Sequence, residues 1–189
     1  MYYVFRHEIK SWRNGILQAW ASQTINYQQI KPHWWLAQPL TSPPPKLEFL
    51  MDSKAPKLDN QFTGTDLDLY SSRFIEIIRA AGVNFETFPI ILRDRDTREV
   101  LPLNYELFHL LEKYPALDWE RSELESEGLS IRKVKKLVLV DNFLESRKPL
   151  VRLSEMKQVV LMHENLKNTL DRAGITGCLY VAVDKYQSL

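Results

Sequence analysis

The residue types that most often carry out chemistry are scattered along this chain. None of the four histidines (His7, His33, His109 and His163) lies in HExxH or in paired metal-ligand spacing. GxGxxG, GxxxxGK[ST] and GxSxG patterns are absent, and only 6 of 189 residues are glycine, so phosphate-binding loops and nucleophile elbows have no support. We therefore expect no catalytic residues, no metal and no cofactor.

The single cysteine, Cys178, excludes an internal disulfide and a cysteine-based zinc site. It could act as a nucleophile with a distant histidine. Its position at the start of an apolar strand, CLYVAV, favours a small core residue instead.

Two charged clusters remain as candidates. A basic run, Arg132, Lys133, Lys135 and Lys136, precedes an apolar LVLV segment, but no aromatic residues interleave with it as a single-strand nucleic-acid platform requires. A solvated face entering a strand is therefore favoured over a phosphate-binding patch, and we expect no direct contact with nucleic acid.

The opposite cluster is acidic and lies within DWERSELESEG. Close carboxylates can do acid–base work or bind a metal, but without a pocket signal a solvated surface is favoured. An acidic face could also enter the cationic groove of a nucleic-acid-cleaving enzyme. The carboxylates are Asp118, Glu120, Glu123, Glu125 and Glu127.

The composition is that of a globular protein. Hydrophobic residues make up 44% and charged residues 26%, with a net charge of +1, which excludes a disordered chain and a bulk electrostatic grip on nucleic acid or anionic lipid. No stretch approaches the roughly 18 apolar residues of a membrane span. MYYVFRHEIKSW has no charged-then-apolar signal pattern, so we expect a cytoplasmic protein without a membrane partner.

Composition changes once, near residue 45. Residues 1–45 hold four of the five tryptophans and end in three consecutive prolines, which fix an extended backbone. We interpret 1–45 as a tryptophan-rich region packed on a main body, and 46–189 as that body.

The main body alternates strands with two amphipathic helices. The first helix, 71–81, places Phe74, Ile77, Ile78 and Ala81 on one face and ends at Gly82. The second, 163–173, ends at a glycine. Strands are predicted at 46–51, 85–92, 137–140, 151–153, 158–162 and 178–183, and 104–112 fits either period. The predicted fold is α+β, with the two helices packed on a mixed or mainly antiparallel sheet.

The order of several short motifs resembles a known family. LDLYSSRF at 67–74 is followed by Gly82, by FETFPI at 85–90, and by KLVL at 136–139. PLVRL at 149–153 and LDRAGITG at 170–177 complete the set. Together these motifs resemble the immunity protein eleven family of bacterial polymorphic-toxin systems, over about residues 46–183.

The resemblance implies protective binding. A member of this family would bind a cognate toxin, encoded by an adjacent gene, and neutralise it without catalysing a reaction. A near-neutral charge and abundant aromatic residues suit a specific protein interface. The shared pattern is expected to carry the fold, through Ser71, Gly82, Pro89, Gly174 and Gly177.

The toxin interface should then lie outside that shared pattern. Our candidates are two tryptophans and three acidic residues: Trp34, Trp35, Glu123, Glu125 and Glu127. The alternatives are simple packing of the N-terminal region for the tryptophans and a solvated face for the glutamates. Charge reversal of the glutamates should weaken toxin binding if they form the interface. A homodimer is also compatible with the sequence, because exposed tryptophans and an edge strand could pair.

Two other functions compete with toxin binding. One is a small enzyme that places carboxylates such as Asp118 and Glu120 near a histidine, for which ligand-induced thermal stabilisation would be evidence. The other is a nucleic-acid-associated module that uses residues 132–136, for which steeply salt-dependent binding would be evidence.

Overall fold

The computed structural model describes residues 1–8, 20–21, 34, 36–42, 44, 47–54, 56–61, 63, 67–127 and 130–188. These residues form an α+β fold whose strands are mainly antiparallel, as predicted. The strands are, in chain order, β1 (Tyr2–His7), β2 (Trp20–Ala21), β3 (Leu47–Met51), β4 (Asn60–Gln61), β5 (Asp68–Ser71), β6 (Phe85–Asp94), β7 (Tyr105–Leu110), β8 (Lys113–Tyr114), β9 (Glu123–Glu127), β10 (Ser130–Lys136), β11 (Leu150–Leu153), β12 (Val160–His163) and β13 (Cys178–Ala182).

One sheet has the strand order β13-β1-β12-β11-β8. Its neighbours are antiparallel except β11 and β8. Strand β1 lies between β12 and β13, and its residues Tyr2 and Val4 are buried. Residues 2–7 are thus an interior part of a sheet that is otherwise built from residues 113–182.

A second sheet has the order β2-β3-β6-β7-β5-β4, in which only β3 and β6 run parallel. The segment that fits either period from sequence, 104–112, contains β7, which pairs with both β5 and β6. Strands β9 and β10 form a separate two-stranded hairpin. No helix among the described residues is long and apolar enough to cross a membrane.

Three helices lie in the described part of the chain: α1 (Ser72–Ala80), α2 (Asp141–Ser146) and α3 (Glu164–Arg172). Ser71 caps α1, because its hydroxyl accepts from the backbone N–H of Phe74 at 3.2 Å. Gly82 follows with a positive φ of 74°, as the sequence predicts. Helix α1 buries Phe74, Ile75 and Ile78, whereas Ile77 is only half-buried.

The predicted strand at 137–140 is wrong. This segment makes one isolated bridge, Leu117 to Leu139, and leads into α2, a helix that was not predicted from the sequence. Leu137 and Leu139 are buried, whereas Val138 and Val140 are half-buried. An extended segment with one inward face therefore gives the same apolar run as a strand buried on both faces.

Candidate binding surface on the charged hairpin

The two opposite charge clusters of the sequence are the two strands of one hairpin. In the register of β9 and β10, Glu125 lies opposite Lys133 and Glu123 lies opposite Lys136. The register shifts twice along β10, at Arg132 and at Lys135, as expected for bulges that insert one extra residue. Acidic and basic residues are therefore neighbours, which the sequence analysis did not foresee.

The hairpin has an inner and an outer side. Leu124 on β9 lies opposite Val134, which is fully buried, and both contact the hydrophobic cluster that includes Leu153 and Leu161. Side chains alternate along a strand, so Glu123, Glu125 and Glu127 project to the other side and are exposed. The predicted acidic face exists as an exposed strand face, but it lies beside basic residues.

Ion pairs join the two strands. Lys135 Nζ lies 2.8 Å from Glu125 Oε1, and the Arg132 guanidinium donates to Glu127. The hydrogen bond from Lys135 lowers the pKa of Glu125, and the same bond raises the pKa of Lys135. All four side chains are more than half exposed, so water and salt screen these pairs and they add little to stability.

The two outer edges of the hairpin differ. The far edge of β10 is occupied by the C-terminal segment, because Val134 N donates to the Ser188 hydroxyl at 2.9 Å and Ser188 N donates to Val134 O at 3.1 Å. Among the described residues, β9 is hydrogen-bonded to β10 alone. Strand β9 therefore presents one row of unpaired backbone groups.

Trp119 lies in a hydrogen-bonded turn shortly before β9 in the chain. Asp118 Oδ1 accepts from the backbone N–H groups of Glu120 at 3.1 Å and Arg121 at 2.8 Å. Arg121 Nε donates to Asp118 Oδ2 at 2.6 Å, and its Nη2 donates to Asp141 at 3.0 Å. These bonds, led by the Arg121 backbone N–H, lower the pKa of Asp118. Trp119 is 56% exposed. It was not among the interface residues predicted from the sequence.

Trp34, the tryptophan chosen from sequence, lies elsewhere. It is 1% exposed, its indole N–H donates to Phe108 O at 3.2 Å, and its ring stacks on His109 at 4.2 Å between centroids. A side chain with almost no accessible surface cannot anchor a partner without unfolding its surroundings, so we leave Trp34 out of the candidate surface. Trp35 lies outside the described residues.

Asp118, one of the carboxylates considered for a small enzyme, has a structural role in this fold. Asp118 holds the turn around Trp119, and its bonds go to Glu120 and Arg121 rather than to a histidine. In the described ranges, no group of three or more His, Cys, Asp and Glu side chains could hold a metal ion.

One Cys–His–Asp arrangement does occur, between the two large sheets. Cys178 on β13 lies directly opposite His7 on β1, and His7 Nε2 lies 3.0 Å from Asp68 Oδ1. Burial raises the pKa of the Cys178 thiol to about 12, whereas a nucleophilic cysteine needs a lowered pKa. A raised pKa disfavours the thiolate, and Cys178 is partly buried against the hydrophobic cluster that includes Leu166 and Leu170.

Four residues from the motifs behind the family resemblance lie around the buried carboxylate of Asp59. We call this second charged site the Asp59 hub. It consists of Asp59, Ser71, Arg73, Thr176 and Gly177. The buried Asp59 carboxylate accepts from the Ser71 hydroxyl at 2.7 Å, from Arg73 Nη2 at 2.7 Å, and from the N–H and hydroxyl of Thr176 at 3.0 and 2.9 Å. This carboxylate joins β4, the start of α1 and the loop after α3.

Gly177 completes the hub by a close backbone approach. Its φ is 81°, and a Cβ at this position would lie 2.5 Å from the carbonyl oxygen of Asn60. Asn60 in turn donates through its side-chain amide to Gly177 O at 3.1 Å. Only glycine fits both the left-handed backbone and the contact.

Comparison with known proteins gives no family for this chain. No family model matches it, and no curated protein matches it.

Proposed function

We propose that this protein is an immunity protein that binds a cognate bacterial toxin, encoded by an adjacent gene, and thereby protects the producing cell. The observation that carries the proposal is the unpaired edge of β9, and the exposed Trp119 lies four positions before this strand in the chain. An edge strand and an aromatic anchor are two of the features by which proteins bind other proteins.

The edge supplies a way to bind an extended partner segment. A partner strand added beside β9 would satisfy the unpaired backbone groups, while its alternate side chains would face the row of glutamates. Trp119, four positions before β9, adds a large exposed apolar surface. Tryptophan is among the residue types most enriched at the energetic centre of interfaces.

The charge pattern indicates what the partner strand carries. If β9 paired antiparallel with a second copy of itself, centred on Glu125, then Glu123 would lie opposite Glu127 and Glu125 opposite its own copy. Directly opposed like charges destabilise a sheet, so this edge disfavours the homodimer. A partner strand with Lys or Arg at alternate positions would repeat the pairing that β10 already makes with β9.

The ion pairs within the hairpin do not prevent this use. Exposed pairs of this kind are weak, so Lys135 and Arg132 can turn away while a partner's cations approach the carboxylates. A cationic groove or strand is a common feature of proteins that bind or cleave nucleic acid. An acidic strand bound in the cationic groove of such a toxin would exclude its nucleic-acid substrate.

Co-expression with the product of the adjacent gene tests the proposal. We expect the product of the adjacent gene to kill the cell when it is expressed alone. We expect co-expression of this protein to rescue growth, and the two proteins to co-elute on size exclusion. A harmless neighbour, or a toxic one that is neither rescued nor bound, would contradict the antidote function for this pair.

Two variants then test the surface. Trp119→Ala should reduce rescue and weaken the complex, because it removes the exposed anchor. Val100→Ala is the matched control, since Val100 is 60% exposed and lies on the β6–β7 connection. Loss of rescue by Val100→Ala but not by Trp119→Ala would place the interface elsewhere.

A further inference from the structure

A cleft lies between the first and third helices, away from the hairpin. Its volume is about 410 Å³, within the range of small-molecule sites. Its apolar wall is formed by Ile77, Ala80 and Ala81 of the α1 end, by Pro149, and by Leu166 of α3.

The remaining lining residues are polar, and one of them, Arg147, is cationic. Arg147 is exposed and follows α2 with a left-handed φ of 50°. Within the described residues, the Arg147 guanidinium makes no hydrogen bond or ion pair, and no carboxylate lines the cleft. Glu164, which follows the lining residue His163 in the chain, lies 3.7 Å from the N-terminal ammonium group. The cleft therefore holds one unpaired positive charge.

His163 supplies a second donor. Only 8% of this residue is exposed, and its Nδ1 accepts from the backbone N–H of Asn165 at 3.2 Å as the cap of α3. An Nδ1 that accepts carries no proton, so the neutral ring holds its proton on Nε2. Burial, the N-terminal ammonium and Arg147 lower the pKa of His163, which favours this neutral form. Among the described residues, no hydrogen bond occupies Nε2.

We propose that this cleft binds a small organic carboxylate with an apolar body. The carboxylate accepts from the Arg147 guanidinium and from Nε2–H of His163, close to the N-terminal end of α3. The apolar body contacts Ile77 and Leu166. The site is separate from the β9 edge and does not depend on the proposed toxin binding.

The ligand class follows from the mixed lining of the cleft. Hydrogen-bond donors and a positive charge select an anion, and planar carboxylates match the guanidinium in two parallel bonds. The aliphatic side chains of the lining add affinity in proportion to the apolar area that they bury. Neither an inorganic anion nor a neutral apolar molecule would use both kinds of lining residue.

Three probes on the wild-type full-length chain test the proposal. They are 4-phenylbutyrate, its neutral amide 4-phenylbutanamide, and acetate, followed by amide chemical shifts in an NMR titration. We expect 4-phenylbutyrate to shift residues 77–81 and 163–169 and to bind about tenfold or more tighter than either other probe. Equal binding of acid and amide, no binding of 4-phenylbutyrate at millimolar concentration, or shifts confined to other residues would overturn it.

Two variants assign the donors. Arg147→Asn removes the charge with a residue that tolerates a left-handed backbone, and His163→Asn removes Nε2 with a residue that still caps the helix. Each should weaken 4-phenylbutyrate binding roughly tenfold or more. Arg172→Asn, at the opposite end of α3, makes the same charge change and should leave binding unaltered. Unaltered affinity in folded Arg147→Asn and His163→Asn chains would refute the assignment.

Discussion

The Asp59 hub and the β9–β10 hairpin are both rich in charge, but they hold it in opposite ways. At the hub, one buried carboxylate accepts hydrogen bonds from two segments that are far apart in sequence, one with Ser71 and Arg73 and the other with Thr176. In the hairpin, exposed carboxylates pair with cations from the adjacent strand. Charge at the hub closes the fold, whereas charge on the hairpin stays accessible to a partner.

This difference separates the parts of the sequence that must be kept from those that are free to vary. Removing the buried Asp59 carboxylate takes away several charge-assisted hydrogen bonds at once, which is costly. Removing one member of the hairpin leaves its partner in water, which costs little. An antidote that must match its own toxin needs its variable charges on a surface of the second kind.

The largest effect is expected at the centre of the hub. Asp59→Ala should destabilise the protein by about 3 kcal/mol or more, because the Ser71 hydroxyl, the Thr176 N–H and Arg73 lose their common acceptor. The measurement is urea unfolding at pH 7, with Asp96→Ala as the control. The Asp96 side chain is 81% exposed, so the control should unfold like the wild type. Similar behaviour of both variants would remove the distinction between the two regions.

The close approach at Gly177 should come next. Gly177→Ala should cost about 2–3 kcal/mol, because the new methyl group clashes with Asn60 and the backbone is left-handed. Gly82→Ala is the matched control: its φ is also positive, but no atom lies within 4 Å of the new Cβ. It should cost only about 1 kcal/mol. Equal losses in thermal unfolding would show that the Asn60 contact is not a constraint.

The hub should also contribute to the acid limb of stability. Burial acts to raise the pKa of Asp59, but hydrogen bonds from Arg73, Ser71 and Thr176 outweigh it and lower the pKa to about 2. The unfolded chain then binds the proton more readily than the folded one, so stability falls as the pH drops from roughly 4 towards 2. Asp59→Asn should flatten this part of the profile of unfolding free energy against pH. An unchanged acid limb would argue against the hub.

The smallest effect on stability is expected in the hairpin. Replacement of Glu123, Glu125 and Glu127 by Gln should leave the unfolding midpoint unchanged, yet weaken the complex with the toxin. Neutral substitution is preferable to charge reversal, which would place lysines beside Lys133 and Lys135 and disturb the hairpin itself. The control replaces three exposed glutamates elsewhere, Glu76, Glu99 and Glu145, by Gln. If both triple variants weakened the complex equally, the net charge of the protein, rather than the glutamates of β9, would account for the loss of binding.

The sequence predicted local features of the fold well. The Gly82 end of α1 and the amphipathic character of α1 and α3 depend on neighbouring residues, and the structure has them. It could not predict that β1 enters the sheet between β12 and β13. That pairing joins residues that are more than 150 positions apart in the chain, and no local pattern encodes it.

The candidate surface was predicted only in part. The acidic cluster was identified, but not as a strand, and its pairing with the basic run depends on a turn whose geometry the charge pattern does not reveal. Trp34 was chosen for its residue type, and type alone does not distinguish a buried tryptophan from an exposed one. The Asp118 turn did carry a local signal for Trp119, because an aspartate followed by several polar residues favours a turn.

The most direct test of toxin binding at the β9 edge is amide hydrogen exchange of residues 123–127, with and without the neighbour's product. In the free chain, the amides on the unpaired edge should exchange quickly, and those paired with β10 more slowly. Slower exchange of the edge amides in the complex is the predicted result. A complex that leaves these amides unchanged would contradict the edge as the interface, and the absence of a complex would contradict the antidote function.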